Sequence, residues 1–357
     1  MNKEILVFLS LAEIPNKKME RIMEIVEEKE ISNFMALVDD KEVENILSTN
    51  EYANLAKKSD PALFKSYLSN LEKDEIRVVS IEEEEYPDKL RYLDDAPMLL
   101  YCKGDSSLLN IDAISIVGTR MPSNYGKFIT EKFAGDLALA GLTVVSGLAY
   151  GVDALSHRKA LEVGGKTIAV LGGGFNHIYP EANTNLAQEI AERGLLVSEY
   201  PPFSRPTKYT FPLRNRIIAG LSLGTLITEA SMRSGTIHTK EFALSYGRDV
   251  FAVPGNVNSS KSDLPNSLIR SAQAECVLSA EDILTHYNYN IKKAEKRVVE
   301  VNMDEEVILK LLKNGEQDFD YLAKNSNIPV NNLNSYLTTL EIRGLIKRMP
   351  GKTYMLS

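Results

Sequence analysis

Arginines, small hydroxyl residues and bare glycines recur at a few places in this 357-residue chain, and together they have the chemistry to hold an anion. In YTFPLRNRIIAG, Arg214 and Arg216 flank Asn215 at the head of an apolar run. Asn215 is a good helix N-cap, and the first turn behind it is the positive end of a helix dipole, where anions are welcome and cations are not. Two guanidiniums placed there either wait for an anion or pair with nearby carboxylates; the stretch alone leaves both open. IVGTRMPSNYG offers Gly118, Arg120 and Ser123: backbone N–H groups, a guanidinium fork and a hydroxyl. VVSGLAYGVDALSH brings Ser146, Gly147 and Gly151, with Asp153 as the expected cap of the next helix. AVLGGGFNHIYP has Gly172, Gly173 and Gly174 in a row, and LITEASMRSGTIHT carries Glu229, Arg233, Ser234, Gly235 and Thr236. A glycine turn is ordinary in an α/β connection, so no single loop is specific. GxGxxG and GxxxxGK[ST] are both absent, which weakens dinucleotide and P-loop readings. The anion reading rests on five such loops occurring in one chain.

Covalent chemistry is less well supported. Ser146, Asp153 and His157 suggest a triad, but Asp153 and His157 are four residues apart on one expected helix, and no GxSxG elbow surrounds the serine. Glu229 is either a general base or a hydrogen-bonding carboxylate; the structural role is preferred, with an arginine as its partner. Cys102 and Cys276 lie far apart without a CxxC, and the four histidines have no paired ligand spacing, so neither a disulfide framework nor a metal site is expected. The cysteine usage suits a reducing cytoplasm. The net charge is −8, while residues 110–290 carry 16 charges of each sign. An anion site there must come from clustering in space rather than from bulk charge. No window reaches the roughly 18 apolar residues of a membrane span.

The elements that would position these residues follow from periodicity. Residues 1–75 read as a helical module; Met19, Ile22, Met23 and Val26 share one face of NKKMERIMEIVEE. Over residues 76–290 the pattern becomes β-then-α. IRVVSI, the end of the proline-punctuated YPDKLRYLDDAPMLLYCKG, AISIVG, LTVVSG, KTIAVLGGG, GLLVSEY, GTLITEA and RDVFAVPG are strands, most of the later ones followed by helical stretches. Continuous apolar strands alternating with helices predict a doubly wound, mostly parallel, Rossmann-like α/β sheet covered on both faces. Ligands of such sheets sit beyond the carboxyl ends of the strands, where all five loops lie. IKKAEKRVVE, residues 291–300, reads as a linker. Residues 301–357 give three helices and a hairpin with Pro350-Gly351 at the turn, a winged helix in which Asp318 caps the second helix. Its third helix, VNNLNSYLTTLEIR, is almost uncharged before Arg343, which suits a protein contact or weak duplex contact better than sequence reading.

In order, GTRMPSNYG, SGLAYGVDALSHRKAL, TIAVLGGGFNHIYPEANTNL, LLVSEYPP, FPLRNRIIAGLS, TEASMRSGTIHT and GRDVFAVPGN resemble the DNA-processing protein A (DprA/Smf) family over residues 80–285. The flanks match the family's N-terminal helical (SAM-like) module and C-terminal winged helix. The resemblance implies a non-catalytic cytoplasmic protein, without cofactor or metal. It implies binding to single-stranded DNA, protection of that DNA and loading of the RecA recombinase in natural transformation and recombination, with homodimers forming through the Rossmann-like domain. It maps a phosphate pocket onto Gly118, Arg120, Ser123, Ser146, Gly147, Gly172, Gly173, Arg214, Asn215, Arg216, Ser234, Gly235 and Thr236. Tyr125, Phe175 and Tyr179 lie near enough to these loops to stack on bases, with core packing as the alternative for each. Leu264-Pro265 stands where the family usually has glycine and its neighbour, and Glu181 where a basic side chain would help. As an alternative, SLGTLITEA resembles the GGxGTxxE of Rossmann-like nucleotide phosphoribohydrolases, with Glu229 as acid or base and Arg214 on the phosphate.

Overall fold

The computed structural model describes residues 3–289 and 302–356, except 314, 343 and 350. The stretch read as a linker, 291–300, lies outside the described residues, as do Arg343 and Pro350. The chain forms two compact units, Met1–Lys292 and Lys293–Ser357.

Five helices open the first unit: α1 (Lys3–Leu11), α2 (Asn16–Glu28), α3 (Lys41–Ile46), α4 (Thr49–Lys58) and α5 (Pro61–Lys73). The apolar face of α2 is buried as its spacing predicts, with Met19, Ile22, Met23 and Val26 all inside. Phe8, Phe34 and Phe64 bring their rings within 4.5–5.8 Å of one another at the centre of this layer. The layer is fastened to the sheet by a chain of buried hydroxyls: Tyr67 donates to Tyr101 at 3.1 Å, and Tyr101 donates to Ser10 at 2.8 Å. Burying such hydroxyls is tolerable because each finds a partner.

The sheet begins with β1 (Ile76–Ser80), the short helix α6 (Asp88–Arg91) and β2 (Leu99–Gly104). Then come β3 (Ala113–Val117), α7 (Asn124–Leu139), β4 (Thr143–Ser146), α8 (Val152–Glu162), β5 (Thr167–Leu171), α9 (Thr184–Arg193) and β6 (Leu195–Ser198). They are followed by α10 (Thr210–Gly220), β7 (Gly224–Ile227), α11 (Thr236–Ser245), β8 (Asp249–Ala252), α12 (Asp263–Arg270), β9 (Glu275–Cys276) and α13 (Ala280–His286). The nine strands run in the order β1-β2-β6-β5-β4-β3-β7-β8-β9. The β1–β2 and β2–β6 pairs are antiparallel and the remaining pairs parallel. Every residue of β3, β4, β5, β6 and β7 is buried, which is why these strands read as unbroken apolar runs. The chain steps from β3 outward through β4, β5 and β6, then returns to place β7 on the other side of β3. The winding reverses between β3 and β7, and a crevice opens at their carboxyl ends.

The second unit contains α14 (Met303–Leu312), β10 (Gln317–Asp318), α15 (Phe319–Asn325), α16 (Val330–Ile342), β11 (Ile346–Met349) and β12 (Thr353–Leu356), with strand order β10-β12-β11. Asp318 accepts the backbone N–H of Tyr321 and so caps α15, as expected. Leu322, Leu333, Leu337, Leu340 and Ile346 form its core. The outward residues of α16 include Asn331, Asn332, Asn334, Ser335 and Thr338, a polar face on which, among the described residues, Glu341 is the one charged side chain.

Candidate nucleic-acid interface

A cavity of about 760 Å³ occupies the crevice at the β3–β7 reversal. Five carboxyl-end loops line it: Gly118 to Met121 after β3, Ala149 after β4, Tyr179 after β5, Pro206 to Lys208 after β6, and Ser231, Ser234 and Gly235 after β7. Helices contribute Asp153, Phe211, Arg214, Asn215 and Thr236. Of the thirteen residues expected at the site, Gly118, Arg120, Arg214, Asn215, Ser234, Gly235 and Thr236 line the cavity. Ser123, Ser146, Gly147, Gly172, Gly173 and Arg216 do not.

The six others have identifiable work behind the wall. Ser123 caps α7 through Gly126 N at 3.0 Å, and its own N–H and hydroxyl are held by Glu229 at 2.8 and 2.5 Å. Ser146 is buried, its hydroxyl donating to Ile116 O at 2.7 Å. Gly147 has no room for a Cβ because the Arg214 guanidinium lies against it. Gly172 lies against the Phe211 ring and Gly173 against Pro206, so both let the wall close in. Arg216 is buried in an ion pair with Glu199, with Asp95 at 3.9 Å. Burial alone lowers its pKa, but Glu199 and Asp95 more than offset this and raise it. The open choice between an anion and a carboxylate is therefore resolved for Arg216 in favour of the carboxylate.

Arg214 differs. It is buried with no carboxylate in salt-bridge contact; Nη1 donates to Gly147 O at 2.8 Å and to Val170 O. Burial lowers its pKa to about 10, partly offset by the charge of Asp153, so it stays cationic at neutral pH. Arg120 is exposed on the β3 loop and makes no ion pair or side-chain hydrogen bond among the described residues. Lys208 extends over the Tyr209 ring, 5.0 Å from its centroid. Thr236 opens α11 at the cavity, where Ser234 Oγ accepts the Thr236 N–H at 3.2 Å. The positive end of that helix adds to the pull on an anion.

Several sequence expectations are corrected. Helix α10 begins at Thr210, not after Asn215, so Arg214 and Arg216 sit beyond its first turn and the dipole argument does not apply to them. Asp153 lies inside α8, whose N-cap is Gly151; its carboxylate accepts the N–H groups of Gly147 and Ala149 in the preceding loop. Glu229 pairs with Ser123, not with an arginine, and does not line the cavity, which leaves the phosphoribohydrolase alternative without its acid or base. His157 is buried, with Nδ1 2.6 Å from Thr167 Oγ1, while Ser146 Oγ is committed to Ile116, so no triad forms. Phe175 packs on the core, and Tyr125 donates to Pro254 O at 2.9 Å. Tyr179 lines the cavity with its ring 5.4 Å from Phe211. Tyr150 and Tyr209, 47% and 69% exposed on the β4 and β6 loops, were missed. Their one signal is a tyrosine in a loop between an apolar strand and a helix, which by itself does not tell an outward ring from an inward one. Leu264 and Pro265 enter the first turn of α12 and are buried, and Leu264 N donates to Ala230 O at 3.1 Å, so the segment closes on the end of the β7 loop.

Fold and cavity together define a Rossmann-like protein with a cationic cleft at its strand-order reversal. The chain belongs to the DNA recombination-mediator protein A family, whose model matches residues 77–288; a DprA winged helix domain model matches residues 293–352. It is 37% identical to Protein Smf of Escherichia coli over 297 residues, covering 80% of this chain and 79% of that one. It is 44% identical to the DNA processing protein DprA of Streptococcus pneumoniae over 210 residues, 59% of this chain and 74% of the relative. The crystal structure of the S. pneumoniae protein superposes with a TM-score of 0.67 at 36% identity, covering 80% of this chain and 98% of that one. DNA processing protein A from Helicobacter pylori, solved to describe its single-stranded DNA binding mode, gives a TM-score of 0.55 at 33% identity, covering 60% and 95%. Among the described residues no helix is long and apolar enough to cross a membrane.

Proposed function

We propose that this protein binds single-stranded DNA at the carboxyl rim of its sheet, protects it in the cytoplasm and delivers it to a RecA-type recombinase. It acts as a homodimer through the Rossmann-like unit and performs no catalysis on the strand. The observation that carries the reading is Arg120: an exposed guanidinium, unpaired among the described residues, at a cavity that also holds the buried cation Arg214 and the start of α11. A backbone phosphate seated there meets a guanidinium fork, hydroxyls of Ser234 and Thr236, and backbone N–H groups. Tyr150, Tyr179 and Tyr209 offer ring faces to successive bases, which makes binding tolerant of sequence. The binding mode named for the H. pylori relative supports the same ligand.

Oligonucleotide titration by fluorescence anisotropy at two salt concentrations tests this. Arg120→Ala is expected to weaken single-strand binding about tenfold, the scale of one charge-assisted hydrogen bond. It should also flatten the slope of log K against log salt by about 0.7, one phosphate's share on a single strand. Unchanged affinity and slope would remove the site from this pocket. Supplying the recombinase with and without this protein on a pre-coated strand reports the loading step.

A further inference from the structure

The loop 199–209, between β6 and α10, supplies Pro206, Thr207 and Lys208 to the cavity. On one side it is tied to the β5 loop: Gly174 N donates to Ser204 O at 2.8 Å, and Asn176 N to Pro202 O at 2.9 Å. On its other side it rests on the N-terminal helices. Phe203 packs against their core, with the Tyr67 ring 6.2 Å away edge-on and Lys58 Nζ 5.3 Å above its own centroid. Ser204 is buried, and its hydroxyl donates to Glu13 Oε1 at 3.0 Å.

Glu13 is an unexpected residue for its backbone. It follows α1 with φ +57°, where Glu13 N donates to Ser10 O at 2.8 Å and Ile14 N to Leu9 O at 3.1 Å. That pair of bonds is a Schellman helix end, whose left-handed position normally holds glycine. A side chain with a Cβ is disfavoured there. The strain persists at a residue whose carboxylate reaches across 191 residues of sequence to the loop that walls the cavity. Glu30 closes α2 at φ +53° with the same pair of bonds, so it is the reach of the carboxylate to the loop, not the backbone alone, that sets Glu13 apart.

We infer that Glu13 is a positioning residue for the DNA site, and that the N-terminal helices form the backstop setting where Thr207 and Lys208 stand. The inference rests on the single-strand reading above. Glu13→Gly separates positioning from mere structure, because glycine relieves the backbone while removing the carboxylate. In the full chain it should leave the melting temperature unchanged or higher, yet weaken oligonucleotide binding about three- to tenfold, the range of one hydrogen bond. Glu13→Gln keeps an acceptor oxygen and should bind as wild type. Ser204→Ala should match Glu13→Gly, and the double variant should be no weaker than either single one. Wild-type affinity in Glu13→Gly, or affinity lost only in step with melting temperature, overturns the inference and leaves the proposed function standing. A wild-type chain that binds no single strand overturns the site itself, and the inference with it.

Discussion

The inner wall of the cavity and its rim hold the same cation in opposite circumstances. Arg214, in the inner wall, is buried, and its guanidinium is occupied by the carbonyls of Gly147 and Val170. Arg120, at the rim, is exposed and has no partner among the described residues. Two positions from Arg214, Arg216 is a third case, consumed by Glu199. A buried guanidinium whose Nη1 hydrogens are spent on two carbonyls and whose Nε is spent on Asn215 contributes positive potential and shape to a ligand more than new hydrogen bonds. One left free in water contributes both a fork and a salt-dependent attraction. On the proposed function, the inner wall supplies stability and geometry and the rim supplies affinity.

The largest expected effect is on the inner wall. Arg214→Ala strips the cation from beside the buried Asp153 and leaves two carbonyls without their donor. Breaking a buried charge arrangement from one side costs about 3–5 kcal/mol. Chemical denaturation should show that loss in the first unit, and the lost DNA binding of this variant would then follow from unfolding. Arg120→Ala should shift the same curve by less than about 0.5 kcal/mol, as exposed substitutions do. Equal destabilisation by both would dissolve the distinction.

Acid sharpens the comparison further. Thr167 Oγ1 spends its hydrogen on Val144 O at 2.7 Å, so His157 Nδ1 must carry the proton in their 2.6 Å contact, leaving Nε2 buried without a partner. Burial, with the charge of Arg214 behind it, lowers the His157 pKa to about 3 from its ordinary 6.5. The unfolded chain then binds more protons than the folded one between those values. Stability is fully present above pH 6.5 and is lost on acidification, at up to about 1.4 kcal/mol per pH unit. His157→Asn keeps a donor near Nδ1 and cannot charge, so its stability should fall less steeply over that window. Parallel acid limbs in wild type and variant would refute the neutral, buried histidine.

Much of this was legible beforehand, and the remainder has physical causes. Strands buried on both faces leave an unmistakable apolar run, so all eight sheet strands before β9 are legible in the sequence, β2 at the end of its proline-punctuated connection. The two-residue β9 has exposed residues and no pattern to detect. The sequence starts helix α10 six residues late because Pro212 falls in its first turn, where a proline is tolerated and the helical pattern is masked. Of three arginines with identical local promise, which one stays free depends on Glu199 and Asp95, set beside Arg216 by the fold and by nothing in its own stretch. The glycines at 147, 172 and 173 were placed at the right loops but for another reason: they admit Arg214, Phe211 and Pro206 to the wall rather than a phosphate. Tyr150 and Tyr209 escaped because a loop has no period to mark its outward residues.

The smallest effect separates two kinds of rim contact. Tyr150 is 47% exposed on the β4 loop and carries no charge. A ring stacking on a base adds affinity that salt does not screen, at the lower end about 1 kcal/mol for a rim position. Tyr150→Ala should therefore weaken single-strand binding about fivefold at every salt concentration, leaving the slope of log K against log salt as in wild type. Homopolymer and mixed strands should lose alike, since every base has a face to stack. A strand with abasic sites removes the ring's partner while keeping the phosphates. On it, wild type and Tyr150→Ala should bind equally, while Arg120→Ala still binds more weakly than either. If Tyr150→Ala weakens the abasic strand as much as the intact one, the ring is not stacking, and the rim's affinity belongs to its cations alone.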